Sequence, residues 1–293
     1  MGEPSTSNLN LELSTQYYQQ GTLEKDLWFR VATQDYTQLM QAIDFSALLS
    51  HFDSPIELLD VGCGTGKFPL MLAPHISAKV QIPYDYLDPS QHSLNELRKA
   101  LSFPFIPRTA FQTTLESLKR SACPPQGYQV IWCLQSLYCL QREALHDVME
   151  KLYSLLNPST GIGLIYLASS ASFYHRVYNL YNQEIHPNVR QPYVTAEEVA
   201  HSLETLHIPI QVKKLHFPHT ISMTEEAVLK NYLNQCVFDA KAWEHSQRNL
   251  VVNQFLKEFR AGNGYQFPQQ VWLIMFKANT QIMTGSNKQE SPQ

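Results

Sequence analysis

Short apolar runs alternate along this chain with longer stretches whose apolar residues recur at helical spacing. The first run, Ile56-Glu57-Leu58-Leu59-Asp60-Val61, predicts a buried strand. Glycines at alternate positions follow it (Gly62, Gly64, Gly66), and Phe68 to Ala73 reads as the first turns of a helix. Lys79 to Leu87 predicts a second strand, Asp88-Pro89-Ser90 ends it, and Gln91 to Leu101 is helical. Phe103 to Phe111, Gly127 to Leu134 and Ile162 to Leu167 predict three more strands. A helix over Arg142 to Leu156 and a turn at Asn157-Pro158 and Gly161 precede the last of these. Thr195-Ala196-Glu197-Glu198 has the form of a capping box and starts a helix that runs to Leu206. Pro209 to Phe217 and Val271 to Phe276 complete a set of seven strands, with a polar helical stretch from Thr224 to Arg260 between them. Ahead of the first strand, Leu27, Val31, Leu39, Ile43 and Leu48 place a helix over Leu23 to Leu49. Strands and helices in alternation are what a doubly wound parallel α/β sheet requires.

This pattern divides the chain into a helical cap over 1–51, a core over 52–221, a helical insertion over 222–262, the last core strand over 263–283 and a disordered tail over 284–293. Residues 1 to about 12 are polar and are expected to form a mobile end. With 293 residues, 44% of them hydrophobic, the chain can bury a large core. A net charge of −4 without a basic run argues against nucleic-acid binding. No membrane-spanning apolar stretch or signal-peptide pattern is visible, so a cytoplasmic protein that does not enter the membrane is expected, as a monomer. Five scattered cysteines (Cys63, Cys123, Cys133, Cys139, Cys236) and eleven dispersed histidines offer neither a disulfide framework nor metal-ligand spacing, and no metal is expected.

The glycine loop carries most of the chemical information. Taken alone it is also compatible with a tight turn that binds nothing. Dinucleotide-binding loops read G-x-G-x-x-G and aim helix N–H groups at a pyrophosphate. Here Asp60 opens a D-x-G-x-G-x-G pattern, which leaves room for an amino-acid moiety in place of a phosphate cradle. One helix and one strand later stands Asp88, placed to accept both ribose hydroxyls of an adenosine. Asp88 is equally suited to cap the helix that follows, and Asp85 is the second candidate for the ribose contact. The motif resembles the first motif of class I S-adenosylmethionine-dependent methyltransferases. That resemblance implies a Rossmann-like seven-stranded sheet, S-adenosylmethionine as cofactor, S-adenosylhomocysteine as product, and a cofactor site including Asp60, Gly62, Gly64, Gly66 and Asp88.

Ligands of such sheets sit beyond the carboxyl ends of the strands. After the fourth strand comes Gln135-Ser136-Leu137-Tyr138, which offers an amide and a phenol as catalytic or substrate-binding candidates. The alternative is a loop in which Gln135 only satisfies local backbone groups. No carboxylate, lysine or histidine stands in this loop, so catalysis by proximity and alignment is expected. Asp35 or His175 could act as base for an oxygen or carbon nucleophile.

The same loop, with Asp88-Pro89-Ser90, Leu167 to Ser172 and Phe267-Pro268-Gln269-Gln270, resembles the histamine N-methyltransferases. This implies Ser93, Thr114 and Leu134 as neighbours of ribose or adenine, and Gln135 and Gln269 as substrate contacts. Where those enzymes carry a substrate glutamate before the first strand, this chain has Gln34 with Asp35 adjacent. Cys63 and Thr65 stand where their loop is richer in glycine and alanine. A neutral Gln34 cannot pair with a cationic amine, which argues against histamine itself. The cap helix and the insertion could close over the site as a lid, with Trp28 as the best aromatic pocket candidate. Tyr174, Tyr178 and Tyr181, at helical spacing, read as a packed helix face.

The expected activity is methyl transfer to a nitrogen or oxygen of a small molecule. The alternatives are methylation of a carboxylate on a natural product or peptide, a nicotinamide-dependent oxidoreductase, and a non-catalytic binding protein.

Overall fold

The computed structural model describes residues 8–19, 25–187 and 189–278. The 284–293 tail, residues 1–7 and the start of the helix expected from Leu23 lie outside the described residues. In chain order the elements are α1 (Leu9–Gln19), α2 (Lys25–Ala42), α3 (Phe45–Leu49), β1 (Leu58–Val61), α4 (Lys67–Leu72), β2 (Ile82–Leu87), α5 (Gln91–Ala100), β3 (Phe105–Phe111), β4 (Val130–Leu134) and α6 (Leu145–Ser154). There follow β5 (Ile162–Ala168), α7 (Phe173–Ile185), α8 (Ala196–Thr205), β6 (Ile210–Ser222), α9 (Glu226–Cys236), α10 (Ala242–Arg248), α11 (Leu250–Lys257), β7 (Arg260–Ala261) and β8 (Gly264–Lys277).

The sheet has the order β3-β2-β1-β4-β5-β8-β6, with the two-residue β7 pairing on β8. Strands β1 to β5 pair in parallel, and every residue of β1, β4 and β5 is buried. Such strands carry helices on both faces, which explains their nearly continuous apolar sequence. On one face Leu59, Val61, Ile131, Cys133 and Ile165 pack with Met149, Leu152, Val199 and Leu203 of α6 and α8. On the other, Leu58, Tyr84, Trp132 and Leu164 pack with Leu39, Phe68, Leu94 and Leu97 of α2, α4 and α5. Trp132, fully buried, meets the rings of Phe68, Tyr84 and Phe105 at 5.3, 6.0 and 6.1 Å.

The expected all-parallel sheet is corrected at one strand: β8 runs antiparallel to both β5 and β6. Strands β6 and β8 form a long ribbon in register from Ile210↔Phe276 to Ser222↔Gly264, reaching well past the body of the sheet. The chain between them is an excursion through α9 to α11 that returns to its starting point, so no parallel crossover forms. Residues 9–12, expected in a mobile end, instead belong to α1. Its Asn10 side chain donates to Gln191 O and accepts from the Tyr178 hydroxyl. The helix expected from Arg142 opens as a short 3-10 turn and becomes α-helical at Leu145. Thr195 and Glu198 form the expected capping box.

Helices α1, α2, α7 and α9 to α11 enclose a third, largely aromatic cluster that includes Tyr17, Phe173, Tyr178, Tyr181, Tyr193, Tyr232, Phe238 and Phe267. It lies beyond the carboxyl ends of β1, β4 and β5, where a crevice is expected.

Candidate active site

The loop from β1 into α4 is held open by backbone conformation. Gly62, Gly64 and Gly66 have φ of 68°, 52° and 81°, all left-handed. A side chain at Gly62 would place its Cβ 2.3 Å from that of Ser136, whose hydroxyl donates to Val61 O. Gly64 is different: its Cβ would meet nothing within 4 Å, because that face borders a cavity. Gly66 packs on Leu97 of α5 and does not reach the cavity.

Asp88, at the tip of β2, accepts from Gly64 N–H through Oδ2 (3.1 Å) and from Ser90 N–H through Oδ1 (2.8 Å). Burial lifts its carboxyl to about 6, against those two hydrogen bonds. The cap of α5 is Ser90, whose hydroxyl accepts from Ser93 N–H, so Asp88 is left to face the glycine loop. Asp85 is committed elsewhere: Arg108, the Thr109 N–H and the Tyr128 hydroxyl all donate to it, and it is fully buried. Asp60 lies beneath the loop, bonded to the Tyr84 hydroxyl at 2.5 Å, with burial raising its carboxyl to about 7.

The cavity, about 170 Å³, runs from this loop to the aromatic cluster. Of the residues expected at the site, Gly62, Gly64, Asp88, Leu134, Gln135, Tyr138 and Trp28 line it, as do Asp35 and His175. Asp60, Gly66, Ser93, Thr114, Gln34 and Gln269 do not. Gln34 pairs with the Thr220 backbone, donating to its C=O and accepting from its N–H, and so ties α2 to β6. Gln269 is buried between the Ser172 hydroxyl, which donates to it, and the Tyr232 hydroxyl. Thr114 bonds Ser117, and Ser93 is fully buried within the first turn of α5.

At the end of β4, Gln135 adopts φ 52°, a conformation that costs a non-glycine residue about 1–3 kcal/mol and that clusters at functional sites. Its side chain accepts from Ala168 N–H (3.2 Å) and donates to Asp35 Oδ1 (3.4 Å). Asp35 Oδ2 accepts from the Tyr174 hydroxyl at 3.3 Å and lies 2.8 Å from His219 Nε2. His219 is behind the wall, fully buried, with Nδ1 3.0 Å from the Tyr232 hydroxyl. Burial lowers His175 to about 4, so its ring is neutral at pH 7. Burial raises the Tyr138, Tyr174 and Cys63 groups, which stay protonated.

The sequence does not mark several wall residues, among them Tyr36, Tyr193, Cys236 and Phe238. Lys67 is the one with a signal, since it directly follows the glycine motif. No three or more His, Cys, Asp or Glu side chains among the described residues come together to hold a metal, and no helix among them is long and apolar enough to cross a membrane.

This arrangement of open glycine loop, acidic tip on β2 and antiparallel strand next to the sheet edge has counterparts. Residues 59–162 match the family model described as a methyltransferase domain. The matched stretch runs from β1 to the first residue of β5 and takes in the glycine loop and Asp88. Among solved structures, YcgJ of Bacillus subtilis is similar at 14% identity and TM-score 0.55, covering 83% of this chain and 98% of its own. A Thermotoga maritima S-adenosylmethionine-dependent methyltransferase, described as a possible histamine N-methyltransferase, is similar at 12% and 0.52, over 91% and 100%. Magnesium protoporphyrin IX methyltransferase of Synechocystis, solved with S-adenosylhomocysteine, is similar at 13% and 0.51, over 90% and 99%. Among curated proteins no sequence matches the chain. These likenesses show the Rossmann-like fold of class I methyltransferases. The site fits S-adenosylmethionine, the group that the sequence motif implies: Gly64 leaves space where a Cβ would stand, and Asp88 presents a carboxylate at the rim of the same cavity.

Proposed function

We propose that the enzyme methylates a nitrogen or oxygen of a small, largely apolar molecule held between Gln135, Asp35 and the aromatic cluster. In this reading Gly62 and Gly64 cradle the amino-acid end of the cofactor, Asp88 takes its ribose hydroxyls, and Leu134 flanks it. When bound, S-adenosylmethionine supplies an electrophilic methyl group on a sulfonium. The chain's own residues exclude water, orient the acceptor's lone pair and hold polar groups in place. Tyr36, Tyr138, Tyr174 and Trp28 give an apolar wall with polarisable faces. The observation that carries the proposal is one continuous cavity joining the cofactor loop to Gln135 and Asp35.

A small acceptor is favoured because the cavity, about 170 Å³, is bordered by α1, α2 and α9 among the described residues. The test is methyl transfer from labelled cofactor to a panel of amines, phenols and carboxylic acids. Wild-type protein is expected to label one class, and Gln135→Ala to lower turnover at least tenfold while S-adenosylhomocysteine affinity stays within threefold. Parallel loss of both would move Gln135 to the cofactor side and defeat this assignment.

A further inference from the structure

The cavity wall is electrically lopsided. Asp35 and Asp88 contribute two carboxylates, His175 is neutral, and the single permanently basic side chain among the described lining residues is Lys67. Lys67 is the first residue of α4, immediately after Gly66, so its stem rises from the loop that carries Gly62 and Gly64. Its ammonium lies 4.5 Å from the centre of the Phe29 ring of α2. Among the described residues it has no carboxylate within ion-pair distance. Partial burial lowers its pKa, against a weaker pull from Asp26, as expected of a cation lacking a close counterion.

We infer that Lys67 is the anchor for the α-carboxylate of the cofactor's methionine moiety, and that the Phe29 ring holds the ammonium ready beneath the cap helix. The inference rests on the methyltransferase reading of the cavity. An amino-acid end brings one carboxylate and one ammonium into a partly desolvated site, and a buried carboxylate needs a charged or hydrogen-bonded partner. The two acidic side chains of the wall can receive the ammonium but repel the carboxylate. Of the described lining residues only Lys67, directly after the glycine loop, offers it a full positive charge. Contact with Phe29 also means that the side chain reading the cofactor's charged end touches the helix that contributes Trp28 and Asp35 to the acceptor side.

The discriminating pair of ligands is S-adenosylhomocysteine and 5′-deoxy-5′-methylthioadenosine, which shares the thionucleoside and lacks the amino-acid moiety. Isothermal titration of wild type, Lys67→Met and Lys67→Arg with both ligands tests the assignment. Lys67→Met should weaken S-adenosylhomocysteine at least tenfold and leave methylthioadenosine within threefold, and Lys67→Arg should restore most of the loss. Raising the salt concentration should weaken S-adenosylhomocysteine binding to wild type and have little effect in Lys67→Met. Equal losses for both ligands would mean that Lys67 only shapes the loop, and unchanged S-adenosylhomocysteine affinity would leave the lysine to some other anion; either result overturns the inference. A wild-type protein that binds neither ligand would overturn the methyltransferase reading beneath it.

Discussion

Asp88 carries two tasks that a sequence shows only as alternatives. Its carboxylate ties Gly64 N–H to Ser90 N–H, and it borders the cavity where a ribose would lie. Ionised, it can accept further hydroxyl donors; protonated, it loses acceptor capacity. With its carboxyl lifted to about 6, S-adenosylhomocysteine affinity is expected to fall about tenfold between pH 7.5 and pH 5, since about one molecule in ten is then ionised. Asp88→Asn should abolish that dependence, and Asp88→Ala should cost about 1.5–3 kcal/mol of binding at neutral pH. Stability of the ligand-free fold runs the other way. A carboxyl raised from 3.8 to about 6 holds its proton more tightly folded than unfolded, so its stabilising share is present at low pH and lost as pH rises through that window. Gly64→Val offers a second test, because its branched side chain would fill cradle space at a φ of 52°. Cofactor binding should disappear in calorimetry while circular dichroism keeps the wild-type helical content; normal binding would reduce the loop to a turn.

At the scale of elements, legibility followed burial. Strands β1, β4 and β5 read cleanly because both faces are covered and nearly every residue is apolar. The outer half of β6 was not legible, since Pro218, His219 and Thr220 carry no apolar run and their pairing comes wholly from β8. The glycine loop and Gln135 were legible because local sequence shapes them, whereas the environment of Asp35 was not. Its partners His219, Tyr174 and Gln135 arrive from β6, α7 and the end of β4, and only tertiary packing brings them together. Gln269 shows the same limit: a similarity of sequence pointed to substrate, yet its amide spans Ser172 and Tyr232 inside the ribbon. Gln269→Ala should therefore act on stability, by about 2–4 kcal/mol from the cavity and the stranded hydroxyls. Chemical denaturation should register that loss while S-adenosylhomocysteine affinity is unchanged; a selective loss of ligand binding with full stability would return Gln269 to the site.

For the molecule as a whole, the cap is joined to the core by discrete clips. Arg30 pairs with Glu225 at the start of α9, Gln34 with the Thr220 backbone, and the Asn8 side chain with Cys139 O. The acceptor side of the cavity thus depends on segments from both halves of the chain, while the glycine loop, Asp88 and the core strands β1 to β4 come from the first. The position of β8 has a consequence for synthesis. It is the last of the described strands in chain order, yet it belongs between β5 and β6, and its Phe276 ring covers Gly163, where an added Cβ would stand 2.2 Å from it. Until Phe276 emerges, a nascent chain presents the entire edge of β5 unpaired, with apolar residues on both faces, which is the kind of surface that recruits other strands. A polypeptide stopped at Arg260 should accordingly be recovered with chaperones or in aggregates even though it contains the whole glycine loop and Asp88. Supplying a separate Gly264–Lys277 peptide during its refolding should raise the soluble yield, and no gain would mean that β5 finds its cover elsewhere.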